Sequence, residues 1–259
     1  MDMELALTAD LGNSRLKLCV WSLDRKVVVE RATFDVELGV GSRAVEFARK
    51  YRSFLAIGMS SVASAARESE VAEALRGIGG RFELAPDAGL TIDVREPARV
   101  GRDRLYAARG ALAAESTCDT GFVIVDAGTA LTVDALVGST FLGGAIAPGP
   151  TLLARALAEH TARLPLVEPS VGTPALGKDT EAAVRAGVVV GFRGAARELA
   201  LRVASEAGIA RPTVVLTGGA RALLETPSVF TGAPFVRVIE DEDLVHRGLF
   251  AALESMIGR

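Results

Sequence analysis

Asp10 and Asp126 stand 116 positions apart in the same local setting: an apolar run ending in Asp-x-Gly, a small polar residue, and a second apolar run. The first copy reads Asp10-Leu11-Gly12-Asn13-Ser14-Arg15-Leu16-Lys17, and the second reads Asp126-Ala127-Gly128-Thr129-Ala130-Leu131-Thr132. Glycine lets the chain turn tightly and present backbone N–H groups. The amide or hydroxyl adds a donor, and the carboxylate sits where a cation bridges to phosphate. A third glycine turn, Thr217-Gly218-Gly219-Ala220, follows the apolar run Val214-Val215-Leu216. Asp-x-Gly is also ordinary punctuation between strands, so either copy alone fits a structural hairpin. Three such turns in one chain point to phosphate binding, and the duplication points to two lobes around one nucleotide. No Gly-x-x-x-x-Gly-Lys-[Ser/Thr] occurs, which sets P-loop chemistry aside.

A separate acid, Asp103, lies between Arg102 and Arg104 at the start of a helical pattern. A carboxylate there can accept the proton of an attacking alcohol, and a neighbouring guanidinium can hold a substrate carboxylate through paired N–H donors. The position equally suits an acid that favours the positive end of a helix. Lys17 either reaches a phosphate or is solvated on its hairpin, and Asp126 either holds a cation or bonds the backbone of its own turn. Cys19 and Cys118 have no second ligand at metal spacing and are expected to be buried thiols; His160 and His246 are isolated and receive no role.

These residues need a layered α/β scaffold. Strands are expected over 4–10, 16–22 and 26–34, then helices at about 42–51 and 65–77 around a buried strand near 54–58. After the Pro-containing stretch 86–99, the spacing of Leu105, Ala108 and Leu112 predicts a helix from Arg102 to about Glu115-Ser116 that links the lobes. Strands follow over 122–126, 129–136 and 140–146. Pro148 and Pro150 then open a helix through His160. Residues 180–207 carry Ala183, Ala186, Gly187, Val190, Gly191, Gly194 and Ala195 at helical spacing, which fits either a tightly packed core helix or a dimer seam. A last helix is expected over 241–256. The division is an N-terminal lobe over 1–115 and a C-terminal lobe over 116–259.

With 259 residues, 49% of them hydrophobic, and a net charge of −3, the chain can bury one large core or two linked ones and has no broad cationic face for nucleic acid or anionic lipid. The acidic start Met1-Asp2-Met3-Glu4, with its apolar run interrupted at Asp10, predicts neither a secretion signal nor a membrane helix, hence a cytoplasmic location.

The chain resembles the type III pantothenate kinases, within the acetate kinase, sugar kinase, Hsp70 and actin superfamily. The resemblance runs through Asp10 to Ser14, Gly101-Arg102-Asp103-Arg104, Asp126 to Ala130, Gly143-Gly144-Ala145-Ile146-Ala147-Pro148-Gly149, Thr161-Ala162-Arg163-Leu164-Pro165, Gly177-Lys178-Asp179-Thr180 and Thr217-Gly218-Gly219. It implies an α/β fold of duplicated ribonuclease H-like (actin-like ATPase) lobes with an interlobe nucleotide cleft. It also implies ATP-dependent phosphorylation of pantothenate, the first step towards coenzyme A, by a homodimer that uses ATP with Mg2+ and a monovalent cation (K+ or NH4+). Carried over by motif, Asp103 is the proton acceptor. Asp10, Leu11, Gly12, Asn13, Ser14, Arg15, Leu16 and Lys17 surround the ATP phosphates, with Asp10 facing the Mg2+, and Thr129 adds an ATP contact. Asp126 holds the monovalent cation, while Gly101, Arg102, Asp103, Arg104 and Thr180 contact pantothenate. Two departures stand out: Val94 occupies the place of a substrate-contacting Tyr, and Ser14 that of a Thr. Two alternatives stay open: a superfamily kinase for another small alcohol or acid, and a nucleotide-binding regulator without turnover.

Overall fold

The computed structural model describes residues 3–115, 121–225 and 228–258; the expectation for Cys118 lies outside the described residues. The chain begins with β1 (Leu5–Leu11), β2 (Arg15–Ser22), β3 (Val27–Asp35), α1 (Val40–Ala48), β4 (Ala56–Ser61), α2 (Ala65–Arg76) and β5 (Arg81–Leu84). Then come β6 (Thr91–Ile92), a 3-10 turn at Pro97–Arg99 and α3 (Arg102–Ala114). The remainder runs β7 (Phe122–Ala127), β8 (Ala130–Val137), β9 (Thr140–Pro148), α4 (Pro150–His160), α5 (Thr180–Glu206), β10 (Thr213–Thr217), α6 (Ala222–Glu225), β11 (Arg237–Glu240) and α7 (Leu244–Ile257).

These elements form two compact units. The first comprises Met1–Leu90, Glu96–Ser116 and Leu244–Arg259, and the second Thr91–Arg95 and Thr117–Asp243. A single cut at 115/116 therefore misassigns the last helix, which packs into the first unit. Likewise α3 is a layer of the first unit and not a link: it crosses α7 with backbones nearly touching at Gly110 and Gly248. A Cβ on Gly248 would lie 2.7 Å from the Tyr106 carbonyl carbon, and one on Gly110 would lie 3.0 Å from that of Leu244. Only glycine permits that approach.

The first unit's sheet has the order β3-β2-β1-β4-β5. β2 is antiparallel to β1 and β3, whereas β4 is parallel to β1 and β5. Side chains alternate between faces along each strand. Leu5, Leu7, Ala9 and Leu11 of β1, with Leu16, Leu18, Ile57 and Met59, pack on α1 and α2 through Val40, Ala44, Phe47, Val71 and Leu75. Ala6, Cys19, Trp21 and Ala56 on the opposite face meet Phe250 and Leu253 of α7. The Trp21 and Phe250 rings stack with centroids 4.5 Å apart, a contact of about 0.5–1.5 kcal/mol beyond the area it buries. Above it the Trp21 indole N–H donates to Thr8 Oγ1 at 2.9 Å, and Thr8 Oγ1 lies 2.9 Å from His246 Nδ1. His246 is thus a buried core histidine that ties α7 to β1.

The second unit repeats the pattern as β9-β8-β7-β10-β11, with β6 added beside β9. β8 is again antiparallel to both neighbours, and β10 is parallel to β7 and β11. One face, built from Val123, Val125, Ala127, Val133, Val214 and Leu216, is covered by Val189, Phe192, Ala196, Ala200 and Ala204 of α5. Asp179 caps α5, its Oδ1 accepting the Ala182 N–H at 2.8 Å. The small residues of α5 divide between its two sides. Ala186 is buried, while Ala183, Gly187, Val190, Gly191 and Gly194 are exposed on this chain, and a Cβ on any of the three glycines would meet nothing within 4 Å.

Candidate active site

Asp10 occupies the penultimate position of β1, half-buried, directly across from Lys17 on β2 and Ser60 on β4. Cross-strand neighbours share a face, so Asp10, Lys17 and Ser60 form a row on the side opposite the α1 and α2 layer. The turn that follows is closed by the Gly12 N–H donating to Arg15 O at 2.9 Å. Asn13, Ser14 and Arg15 project into solvent from that turn, whereas Leu11 and Leu16 are buried and anchor it. Of the eight residues expected around phosphate, Leu11 and Leu16 therefore serve the core and could offer only their backbone.

Asp103 lies in the first turn of α3, where its Oδ1 accepts the Arg104 N–H at 2.8 Å. That is the helix-start role read as its alternative, and it leaves Oδ2 as the oxygen able to take a proton. A Cβ on Gly101 would sit 2.6 Å from Asp103 Oδ1, so a larger residue there would make the carboxylate move. The helix start is held to the preceding loop by Arg102, which reaches Ala85 O at 3.5 Å, and by Tyr106, whose hydroxyl donates to Pro86 O at 2.6 Å. Burial pushes the Tyr106 phenol above its ordinary range, so it remains a donor across the physiological pH range.

In the second unit, Asp126 pairs with Thr132 on β8 and with Thr217 on β10. Three turns converge on it. The Gly128 N–H donates to Ala130 O at 2.9 Å, the Gly149 N–H to Thr129 O at 3.0 Å, and the Ala220 N–H to Ala127 O at 2.8 Å. A Cβ on Gly218, whose φ is +94°, would overlap Asp126 Oδ1 and lie 2.5 Å from the Ala127 carbonyl; a Cβ on Gly149 would lie 2.5 Å from Thr129 O. The Asp126 turn is thus packed by glycine-closed turns, with the Ala127, Thr129 and Ala130 carbonyls each accepting a backbone N–H. Thr129 sits exposed at its rim, beside the start of α4, which Gly149 opens without a side-chain cap. Arg221 buttresses the third turn, its Nη1 donating to Gly218 O at 3.3 Å while the guanidinium lies 3.4 Å from both Glu225 and Glu242.

Thr180 is exposed at the first residue of α5. A shallow surface pocket nearby is lined by Ser170, Thr173, Leu176, Gly177, Ala182 and Arg185. Val94 lies two residues beyond β6, and a Cβ on Gly143 of β9 would be 3.2 Å from its Cγ1, so this side chain packs on the second sheet. Gly149 and Gly218 pack on the Asp126 turn and Ser60 lies beside Asp10, placements that sequence reasoning did not single out. Gly149 and Gly218 lay inside quoted motifs, yet nothing local says that they close on Asp126; a lone serine in an apolar run carries no signal. Among the described residues no group of three or more His, Cys, Asp or Glu side chains could hold a metal by itself.

A sequence profile of the type III pantothenate kinases matches residues 6–202. The chain belongs to the type III pantothenate kinase family. A family member from Thermus thermophilus is 40% identical over 179 residues, an alignment covering 68% of this chain and 67% of that protein. Among solved structures, a protein from Campylobacter jejuni described as a Baf family transcriptional activator superposes with a TM-score of 0.63 at 20% identity, covering 98% of this chain and 100% of the other. A ROK family glucokinase from Streptomyces griseus, solved with glucose and AMPPNP, gives 0.56 at 13% identity over 97% and 98% of the two chains. At such identities these likenesses speak to the fold, which is the mixed α/β architecture of the sugar kinase and actin-like class. Family membership makes the chain a phosphotransferase. No helix among the described residues is long and apolar enough to cross a membrane.

Proposed function

We infer that this chain transfers the terminal phosphoryl group of ATP to the primary hydroxyl of pantothenate, giving 4'-phosphopantothenate and ADP on the way to coenzyme A. The observation that carries this reading is the family match over residues 6–202, which contains every residue assigned a role below. Phosphoryl transfer demands in-line positioning and neutralisation of charge more than covalent participation by the protein. Asp103 accepts the alcohol proton through Oδ2 as the oxygen attacks. Arg102 or Arg104 holds the pantothenate carboxylate, and Gly101 and Thr180 complete the contacts to that substrate.

The Asp10–Lys17 turn takes the ATP phosphates through backbone N–H groups, Asn13, Ser14 and Lys17, and Thr129 adds a further contact. Asp10 would face the Mg2+ that accompanies ATP, directly or through water, and the ion would supply charge neutralisation. Asp126 is the carboxylate that would hold a potassium or ammonium ion, a cation that prefers oxygen donors. The exposed small-residue face of α5 supports a homodimer, because side chains of that size allow close helix approach and its glycines meet nothing within this chain. The protein works in the cytoplasm.

The test follows ADP release from ATP and Mg2+ with pantothenate present, comparing K+ with Na+ and the parent with Asp103→Asn. Asn keeps an oxygen for the Arg104 N–H and cannot take the proton, so turnover should fall about 10²–10⁴-fold with the fold intact. Undiminished turnover removes Asp103 as the base. Turnover only with another small alcohol, or nucleotide binding without turnover, replaces the pantothenate reading by one of its alternatives.

A further inference from the structure

Ser60, the penultimate residue of β4, has no exposed surface, yet its Oγ has no hydrogen-bond partner among the described residues. The neighbouring serine behaves differently: Ser61 Oγ accepts the Ala63 N–H at 3.3 Å and is used by the turn. A buried hydroxyl left unpaired opposes folding, so it calls for a partner that the polypeptide does not provide. Its place says what kind. Ser60 is the parallel neighbour of Asp10, on the same face, with Lys17 on the far side of that aspartate. The second unit repeats the arrangement at the same register, with buried Thr217 beside Asp126. A carboxylate flanked by a β-hydroxyl thus occurs twice, next to each of the two Asp-x-Gly turns.

We propose that Ser60 Oγ is a ligand-binding group of the first turn, sharing with Asp10 the hydration shell of the Mg2+ ion that accompanies the nucleotide. This rests on the phosphoryl-transfer reading for the presence of Mg2+ and nucleotide, and not on the identity of the acceptor. The hydroxyl oxygen would accept from a magnesium-bound water, while Asp10 supplies the charge. Ser60 adds no negative charge that would repel phosphate.

The experiment is calorimetric titration of the full-length protein with AMPPNP, with and without Mg2+, alongside thermal melting without nucleotide, for the parent, Ser60→Ala and Ser60→Thr. Ser60→Ala should weaken Mg-AMPPNP binding about tenfold, leave Mg2+-free AMPPNP binding within twofold, and leave the nucleotide-free melting temperature unchanged or higher. Ser60→Thr should recover part of the loss. Unchanged Mg-AMPPNP affinity in a folded Ser60→Ala overturns the proposal, as does an equal loss with and without Mg2+. A parent that binds Mg-AMPPNP but does not phosphorylate pantothenate sinks the substrate assignment while the Ser60 comparison still decides. A parent whose nucleotide binding ignores Mg2+ overturns the Ser60 role outright.

Discussion

Gly218 and Gly219 are adjacent in one motif, yet the structure gives them opposite tolerances. Gly218 has φ +94°, and a Cβ there would overlap Asp126 Oδ1 and lie 2.5 Å from the Ala127 carbonyl; at Gly219 a Cβ would meet nothing within 4 Å. Holding alanine in that left-handed conformation costs about 1–3 kcal/mol, and forcing a methyl into occupied space adds about 1–3 kcal/mol. Gly218→Ala should therefore lose roughly 2–6 kcal/mol. At about 2–4 °C per kcal/mol for a chain of this size, melting followed by circular dichroism or calorimetry should drop by roughly 5–20 °C. Gly219→Ala should stay within about 0.5 kcal/mol of the parent. Because the added methyl displaces the Asp126 carboxylate, activation by K+ should weaken in Gly218→Ala and persist in Gly219→Ala. Equal melting temperatures for the two variants would show that the third turn does not clasp Asp126 as described.

Glu225 is held above the ordinary carboxylate range first by burial and next by the charge of Glu240, against the opposing pull of Arg221. A raised folded pKa favours the protonated form, so its stabilising contribution is full below the unfolded value of about 4.5 and is lost as pH rises through the folded one. Glu225→Gln should accordingly raise the melting temperature at pH 7, and the gain should disappear by pH 4; a gain that grows on acidification contradicts the sign. Val190→Asp, on the exposed face of α5, should shift the protein from dimer to monomer in sedimentation while changing the stability of the chain by no more than about 0.5 kcal/mol; an unaltered dimer moves the interface off that helix. Gly248→Ala, which would bring a Cβ to 2.7 Å from the Tyr106 carbonyl carbon, should cost about 3 kcal/mol or more, read as a lower denaturation midpoint, and a near-parental midpoint would deny the close α3–α7 crossing.

Local pattern carried the hairpins and the long helices. Apolar runs broken by Asp-x-Gly located β1, β2, β7 and β8 to within a residue or two, and the spacing of Leu105, Ala108 and Leu112 located α3. The strands β5, β6 and β11 escaped because two to four residues hold too few alternations to register. The membership of α7 escaped for another reason. Its apolar composition says that it is buried, and nothing in residues 244–257 says which sheet buries it; that is decided by Trp21, Ala6 and Ala56, more than 180 positions upstream. The same division holds for the candidate site. Asp10, Asp103 and Asp126 announce themselves by motif, whereas the clasp of Gly149 and Gly218 on the Asp126 turn and the placement of Ser60 exist only once strands pair.

The two repeats have kept one geometry and changed its charge. In the first sheet the row across the strands reads Thr33, Lys17, Asp10, Ser60; in the second it reads Ile146, Thr132, Asp126, Thr217. A lysine beside Asp10 offsets the carboxylate in the first turn. The cross-strand neighbours of Asp126 are both threonines, Thr132 and Thr217. Two unit charges at about 4 Å interact by roughly 1 kcal/mol in water and about 4 kcal/mol at the effective dielectric near a protein surface. An ammonium in the place of Thr132 would therefore compete strongly with any ion bound there. With a hydroxyl instead, the second turn lacks that competition, a charge difference that the roles proposed for the two turns, phosphate for one and a monovalent ion for the other, would exploit. Duplication supplied two equivalent turns, and a single cross-strand position, lysine in one and threonine in the other, sets their charge apart.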